Sequence, residues 1–177
     1  MSLTNEIIKQ KVEEKFGESV KAFTEESFGL LTFEVDRNKV IDLMQFLRDD
    51  ETLRFNFLTT MCGVHYPDNE IESQIAVVYH MHNWLDNVRI RFKTYLNGEN
   101  PEVATATTVF LTANWMEREA YDFYGIIFTG HPDLRRILNM DEMVSFPMRK
   151  EFPLEDGSRT DKDDRYFGRE PQKTNQN

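Results

Sequence analysis

Residues 55–96, FNFLTTMCGVHYPDNEIESQIAVVYHMHNWLDNVRIRFKTYL, decide the fold. Three runs within them, Phe55 to His65, Ile75 to Met81 and Val88 to Tyr95, are rich in β-branched and aromatic side chains and have strand length. Tyr66-Pro67-Asp68-Asn69 is a turn sequence between the first two. Asn83 to Asn87 joins the second to the third, and Asn97-Gly98 closes the series. Connections this short predict a three-stranded meander, with Gly63 placed for a bulge.

Toward the N-terminus, Leu31 to Val35 alternates Leu31, Phe33 and Val35 with Thr32 and Glu34, the pattern of a half-buried strand. Ser19 to Phe23 is a candidate first strand. Leu3 to Phe16 places Leu3, Ile7, Ile8, Val12 and Phe16 near helical spacing, with Gly17 as its stop. Asp36 and Asn38 offer caps for a second helix whose apolar stripe is Val40, Leu43, Met44 and Leu47, ending around Asp49 to Glu51. Helices and strands are grouped and do not alternate strictly. That arrangement predicts an α+β fold and argues against a doubly wound sheet.

Toward the C-terminus two readings compete. Asn100-Pro101-Glu102 is a helix-start signal, whereas the β-branched run Val103 to Thr112 has strand propensity. Asn114, three residues before Glu117, suggests an Asn-led capping box for a helix from Trp115 to Tyr124. Its buried face would be Met116, Ala120, Phe123 and Ile127, and Gly125 its end. His131-Pro132-Asp133 is a turn or helix start, and Leu134, Ile137 and Leu138 form the last apolar cluster. After Pro153 almost nothing apolar but Tyr166 and Phe167 interrupts a polar, charged sequence that cannot offset its own ordering entropy. Lone aromatics in such a segment suit a partner's pocket. The expected division is an α+β domain over 1–130, a turn and connection over 131–155, and an extended or disordered tail over 156–177.

The 177 residues carry 21 Lys and Arg against 31 Asp and Glu, a net charge of −10. That charge argues against nucleic acid and against a polybasic lipid-docking face. One cysteine, Cys62, excludes an intrachain disulfide and a self-contained iron–sulfur cluster, which normally needs four thiolates. No run of about 20 apolar residues exists to span a membrane. Met1 to Gln10 lacks the shape of a signal peptide, so a cytosolic, reducing setting is expected. There is no G-x-G-x-x-G, Walker loop or C-x-x-C, and the chain is expected to carry no cofactor or metal of its own.

Three groupings invite chemistry. His80 and His82 share one face of a strand, with His65 on a probable neighbour, and three imidazoles suit a metal. The plainer reading is a solvated or interface side of the sheet. Cys62 has no nucleophile signature around it and reads as a small buried hydrophobe. Glu117, Glu119, Asp122, His131 and Asp133 crowd acid and imidazole groups together, as a free-standing acid/base enzyme using His131, Asp133 and Glu119 would require. Yet Arg118 is spaced to pair with Asp122, and Arg135 and Arg136 to neutralise other carboxylates. Such a composition more often knits a structural junction than a catalytic centre.

The stretch Ala113-Asn114-Trp115-Met116-Glu117-Arg118-Glu119-Ala120-Tyr121-Asp122-Phe123-Tyr124-Gly125-Ile126, then Gly130-His131-Pro132-Asp133-Leu134-Arg135-Arg136-Ile137-Leu138 and Pro147-Met148-Arg149-Lys150-Glu151-Phe152-Pro153-Leu154, resembles a known signature. It is that of the C subunit, or 30 kDa-subunit family, of proton-translocating NADH:quinone oxidoreductase, respiratory complex I. His65 stands where that family commonly has an acidic residue, Met148 where it has Leu, and Glu151 where it has Asp. The resemblance implies a two-layer fold: a mixed β-sheet with helices packed on one face, plus an extended C-terminal tail. It implies a cofactor-free member of the peripheral arm with no catalytic residue, on the cytoplasmic side of the bacterial inner membrane. Its partners would be complex I subunits D, B and I, the first of which is large and holds the quinone site; iron–sulfur clusters and FMN would lie in partner subunits. The residues implied to form the signature and interface are Trp115, Glu117, Arg118, Glu119, Tyr121, Asp122, Gly125, Gly130, His131, Pro132, Asp133, Leu134, Arg135, Arg136, Arg149 and Lys150. The same module also occurs in membrane-bound hydrogenases and ferredoxin-fed quinone reductases, which is the alternative assignment.

Overall fold

The meander is present in the computed structural model, which describes residues 3–24 and 29–152. Strands β1 (Val20–Thr24), β2 (Leu31–Val35), β3 (Phe57–His65), β4 (Ile75–Asn83) and β5 (Val88–Leu96) form one sheet in the order β1-β2-β5-β4-β3. β3, β4 and β5 pair antiparallel in succession, whereas β2 runs parallel to β5, so the sheet is mixed. The ladder shifts between Leu58 and Thr60, not at the expected Gly63. Gly63 serves another purpose: a Cβ there would meet the Tyr124 ring at 2.5 Å.

Alternation along the strands sorts the two faces. Phe33, Ile75, Val77, Tyr79, Met81, Ile90, Phe92 and Leu96 are fully or almost fully buried and belong to one apolar core. Helix α1 (Asn5–Phe16) adds Ile8 and Val12 to it, and α2 (Val40–Asp49) adds Val40, Leu43, Met44 and Leu47. Each fully buried Leu, Ile or Phe contributes roughly 1.5–3 kcal/mol, so this helix-covered face supplies most of the sheet's stability. Ala76 and Val78, on the opposite face, lie outside that core. The α+β expectation and the placement of helices on one face are both observed.

Caps depart from expectation. α2 has no side-chain cap; Asp36 instead closes a turn through the Asn38 N–H, and Lys39 occupies the cap position. Pro101 starts no helix. It precedes a short strand, β6 (Glu102–Ala104), paired in parallel with β7 (Ile127–Thr129), and a 3-10 turn, Ala106–Thr108, follows. The third helix, α3, runs from Ala113 to Tyr124 and lies along edge strand β3. The Asn114–Glu117 capping box is absent, because backbone carbonyls already serve the helix start: Ala113 N–H donates to Phe110 O and Asn114 N–H to Leu111 O. Gly125 ends α3 as expected, at φ 75° with its N–H on Tyr121 O. The expected domain break at residue 130 marks a change of texture, yet residues 131–152 fold back onto α3. The tail predicted for 156–177 lies outside the described residues.

Candidate functional site

The buried side of α3 is polar. Ala113 and Ala120 are buried as small residues should be, but Glu117, Arg118 and Asp122 are buried with them. Ala120 belongs to the core and Met116 packs half-buried against it, but Phe123 is only half-buried and Ile127 is exposed, so the expected apolar face is used in part and charged side chains share it. Three buried charges on one short helix need partners, since an unpaired charge in the interior is prohibitively costly. Each has them.

Asp122 is the hub. Its Oδ2 accepts the backbone N–H groups of Ile137, Leu138 and Asn139 at 3.1, 2.8 and 2.9 Å. Its Oδ1 accepts from Arg136 Nη1 at 2.8 Å and Asn139 Nδ2 at 3.0 Å. Burial pushes this carboxyl upward, but the N–H groups of Asn139 and Leu138 and the Arg136 guanidinium outweigh it and hold the acid well below the usual range. Arg136 goes on to donate to the carbonyls of Asp122, Met143 and Ser145. Five donors on one carboxylate thus fix the loop after Leu134 to the last turn of α3. The expected Arg118–Asp122 pair does not form: Arg118 donates instead to the carbonyls of Arg135 and Arg136 at 3.3 and 3.2 Å and stacks over Trp115.

Phe146 is the second anchor. Its ring sits against Gly125, where a Cβ would approach it to 2.6 Å. The guanidinium groups of Arg136 and Arg149 lie over the ring at 5.2 and 5.3 Å. Arg149 also donates to Tyr124 O and to Gly98 O, tying residues 146–149 to both α3 and the end of β5. The Lys150 N–H donates to His65 Nδ1 at 2.8 Å. At this position the imidazole Nδ1 thus acts as a backbone hydrogen-bond acceptor, a role a carboxylate oxygen can also fill.

Glu117 faces the other way. Its carboxyl accepts from Thr105 Oγ1 at 2.5 Å and from the Ala106 N–H at 2.6 Å, locking α3 to the 3-10 turn. Burial pushes its pKa to about 7, against the opposing hydrogen bonds from Thr105 and Ala106. Burial and the neighbouring Glu117 raise the Tyr79 hydroxyl as well. His131 lies 3.9 Å from Glu117. Its Nε2 contacts the Asn114 carbonyl, which can only accept, and its Nδ1 accepts the Asp133 N–H. Both ring nitrogens are therefore held by backbone.

No acid/base centre is assembled from the sequence candidates. The Asp133 carboxylate pairs with Arg135 at the surface. Glu119 lines a cleft of about 210 Å³ with Met61, Cys62, Gly63, Met116 and Tyr124. Cys62 is exposed at the edge strand, contrary to the buried reading; desolvation and then the Glu119 charge push its thiol up, opposed by Arg91. His80 contacts Arg91, His82 contacts Asn87, and His65 lies five residues along the β4 ladder from His80. Among the described residues no three His, Cys, Asp or Glu side chains gather as metal ligands would.

Of the signature residues, the structure gathers Arg118, Tyr121, Asp122, Gly125, Arg136 and Arg149 around the wrapping loop and the Phe146 ring, and sets Glu117 and His131 together on the side of the 3-10 turn, with Gly130 turning the chain at φ 85°. Leu134 packs against the core, whereas Leu138 is exposed. Trp115, Glu119, Pro132, Asp133, Arg135 and Lys150 face outward. Sequence reasoning missed Thr105, Asn139 and Phe146. Only Phe146, an isolated aromatic in a polar stretch, carried any signal.

A family model described as "Respiratory-chain NADH dehydrogenase, 30 Kd subunit" matches residues 33–158. The C 2 subunit of NADH-quinone oxidoreductase of Rhizobium etli (strain CIAT 652) is 39% identical over 155 residues, covering 87% of this chain and 80% of that one. The C 1 subunit of NADH-quinone oxidoreductase of Rhizobium meliloti (strain 1021) is 47% identical over 133 residues, 75% of this chain and 65% of that one. Among solved structures, Nqo5 in a trypsin-resistant fragment (1-134) superposes with a TM-score of 0.59 at 30% identity, covering 72% of this chain and 98% of that one. A chain of the membrane-bound sulfane sulfur reductase, an archaeal respiratory membrane complex, superposes with a TM-score of 0.68 at 24% identity over 84% and 85% of the two chains, a likeness of fold alone.

Proposed function

Because the chain belongs to the family of the 30 kDa subunit of respiratory-chain NADH dehydrogenase, we propose that it acts as a non-catalytic peripheral-arm subunit of NADH:quinone oxidoreductase, respiratory complex I. It packs against the large quinone-site subunit, beside subunits B and I, at the cytoplasmic side of the bacterial inner membrane. It supports electron transfer from NADH to quinone through assembly, while the iron–sulfur clusters and FMN belong to its partners. The hydrogenase alternative is not favoured by relatives that are NADH-quinone oxidoreductase subunits.

One observation carries the assembly role. The clamp around Asp122 spends its charges inward and leaves large apolar side chains outside: Leu111 is 86% exposed, Met140 74% and Val144 94%, with Trp115 and Leu138 also exposed. Large apolar side chains left exposed at the start of α3 and on the segment that follows it suit a surface for another chain. Asp133 and Arg135, exposed beside them, add polar contacts at the rim.

The test is affinity purification of the tagged chain from native membranes. Co-purification of the large quinone-site subunit with its neighbours is expected. Recovery of the chain without a homologue of that large subunit overturns the reading.

A further inference from the structure

We propose that the cleft between β3 and α3 receives one large apolar side chain of a neighbouring subunit, with a Lys or Arg beside it that settles on Glu119. The inference rests on the assembly reading above and names the chemistry that the partner presents.

Gly63 lets the cleft form. A Cβ there would meet the Tyr124 ring at 2.5 Å, so only glycine allows that ring to come down onto the strand. The ring then becomes part of the wall of a hollow of about 210 Å³. Methionines reach it from three separate parts of the chain: Met61 from β3, Met116 from α3 and Met148 from the loop that wraps α3. The loop is anchored where it brings its side chain there, because the Met148 N–H donates to Phe123 O at 3.2 Å. Met61 is buried, whereas Met148 is 45% exposed, so the hollow has a closed floor and an open rim. Unbranched thioethers adapt to the shape they meet and pack well against aromatic rings. Three of them in so small a space mould themselves around one incoming side chain. The hollow has no room for a helix, and a single buried anchor is how an interface concentrates its binding energy.

The polar member of the lining is Glu119. It is exposed, and among the described residues no cation pairs with its carboxylate, whereas Asp122 pairs with Arg136 and Asp133 with Arg135. Its charge is felt inside the cleft. Burial pushes the Cys62 thiol up and the Glu119 charge adds to it; burial does the same to the Tyr124 hydroxyl, with Cys62 and then Glu119 adding to it. A carboxylate at the lip of an apolar hollow is complementary to an apolar anchor with a cation next to it. An acidic segment would be repelled, and a wholly apolar one would cover this charge and leave it unpaired. Trp115 stands one helical turn before Glu119 and is 66% exposed, so the lip runs on into the apolar surface already assigned to the partner.

Cys62 lines the cleft and is the chain's one cysteine, so it reports whether the cleft is filled. The test is labelling with a bulky maleimide, read at the Cys62 peptide by mass spectrometry, in the isolated full-length chain and in the complex purified from native membranes. Only chains that co-purify with the large subunit are scored for the complex, so failure of this proposal is distinct from failure of the assembly reading, which recovery of the chain alone would show. The isolated chain should take up the label, and the complex should do so at least about tenfold more slowly, because a packed anchor excludes solvent and reagent. E119K should unfold at the wild-type temperature as an isolated chain, lower the yield of complex, and restore most of the labelling in the complex that does form. Equal labelling rates in the isolated chain and the complex overturn the proposal. So does protection that E119K leaves unchanged, because the occupant then needs no cation. Protection of the isolated chain overturns it as well: where it grows with concentration a second copy fills the cleft, and where it persists at every dilution the cleft is filled from within the chain.

Discussion

Replacing Asp122 by Asn separates the charge of the hub from its shape. Its two oxygens accept five donors, three on Oδ2 and two on Oδ1, among them the largely buried Arg136 guanidinium. Asparagine keeps the volume but puts an NH2 group where one set of donors points, whichever way the amide turns. One orientation sets it against the three backbone N–H groups, the other against Arg136 and Asn139. Arg136 loses its counter-charge in both. Breaking a buried pair by removing one partner costs about 3–5 kcal/mol. Arg136 keeps three carbonyl acceptors, so the lower part of that range, about 3 kcal/mol, is expected. At about 2–4 °C per kcal/mol for a chain of this size, the thermal midpoint falls by roughly 6–12 °C. The assays are thermal and urea unfolding of the purified chain by circular dichroism, with hydrogen exchange of the amides of 137–139. The wild-type hub also predicts a pH dependence. Its folded pKa is depressed, so its stabilisation is complete above the ordinary Asp value near 4 and is lost as pH falls toward the folded value. D122N removes that acid-side loss. A D122N chain within about 0.5 kcal/mol of wild type, the range of an ordinary surface change, with unchanged exchange at 137–139, refutes the clamp.

Glu117→Gln should reverse sign with pH. The folded pKa of about 7 lies above the ordinary value of 4.5, so the stabilisation is full below 4.5 and fades as pH rises through 7. That window is worth up to about 3 kcal/mol at 1.36 kcal/mol per unit. Urea midpoints at pH 5 and pH 8 should diverge less in the variant, and equal pH slopes for the two chains sink the argument. Gly125→Ala places a Cβ at φ 75° and against the Phe146 ring. The backbone alone costs about 1–2 kcal/mol, and loss of exchange protection at Met148 and Arg149 should accompany it; protection equal to wild type speaks against Phe146 as an anchor. Asp133→Ala and Arg135→Ala remove an exposed pair worth little to folding. Both should unfold like wild type yet lower the yield of assembled complex in membranes, and full assembly with poor turnover would instead restore a catalytic role.

The meander was readable because turns and strand runs are local signals: Tyr66 to Asn69 and Asn97-Gly98 bound runs whose composition leaves little choice. The start of α3 was not. Its cap is made by the carbonyls of Phe110 and Leu111, and a backbone acceptor has no side-chain signature. The conflict over Val103 to Thr112 dissolved for a similar reason. Only Glu102–Ala104 find a strand partner, in β7, where Glu102 pairs with Ile127, and pairing at that distance outweighs propensity. The charged part of the buried face of α3 was missed because hydrophobic periodicity assumes that burial follows apolarity. Here carboxylates and guanidinium groups are buried because a loop of backbone N–H and C=O groups wraps them, and periodicity cannot see a wrapping loop.

The signature charges therefore divide by direction, and the division has a consequence for genetics. Glu117, Arg118, Asp122, Arg136 and Arg149 satisfy backbone groups of this chain. Asp133, Arg135, Glu119 and Lys150 stand at the surface. Truncation of an inward side chain leaves buried partners unsatisfied, so it lowers the amount of folded protein before any partner is met. Loss of an outward charge leaves folding intact and acts only where the chain is gripped by its neighbours, through the rate and strength of association. Two variants that deplete the same complex equally should then differ in one quantity, the stability of the isolated chain. Each residue's depletion mechanism is thus decided by whether its side chain points into the wrapped loop or away from it.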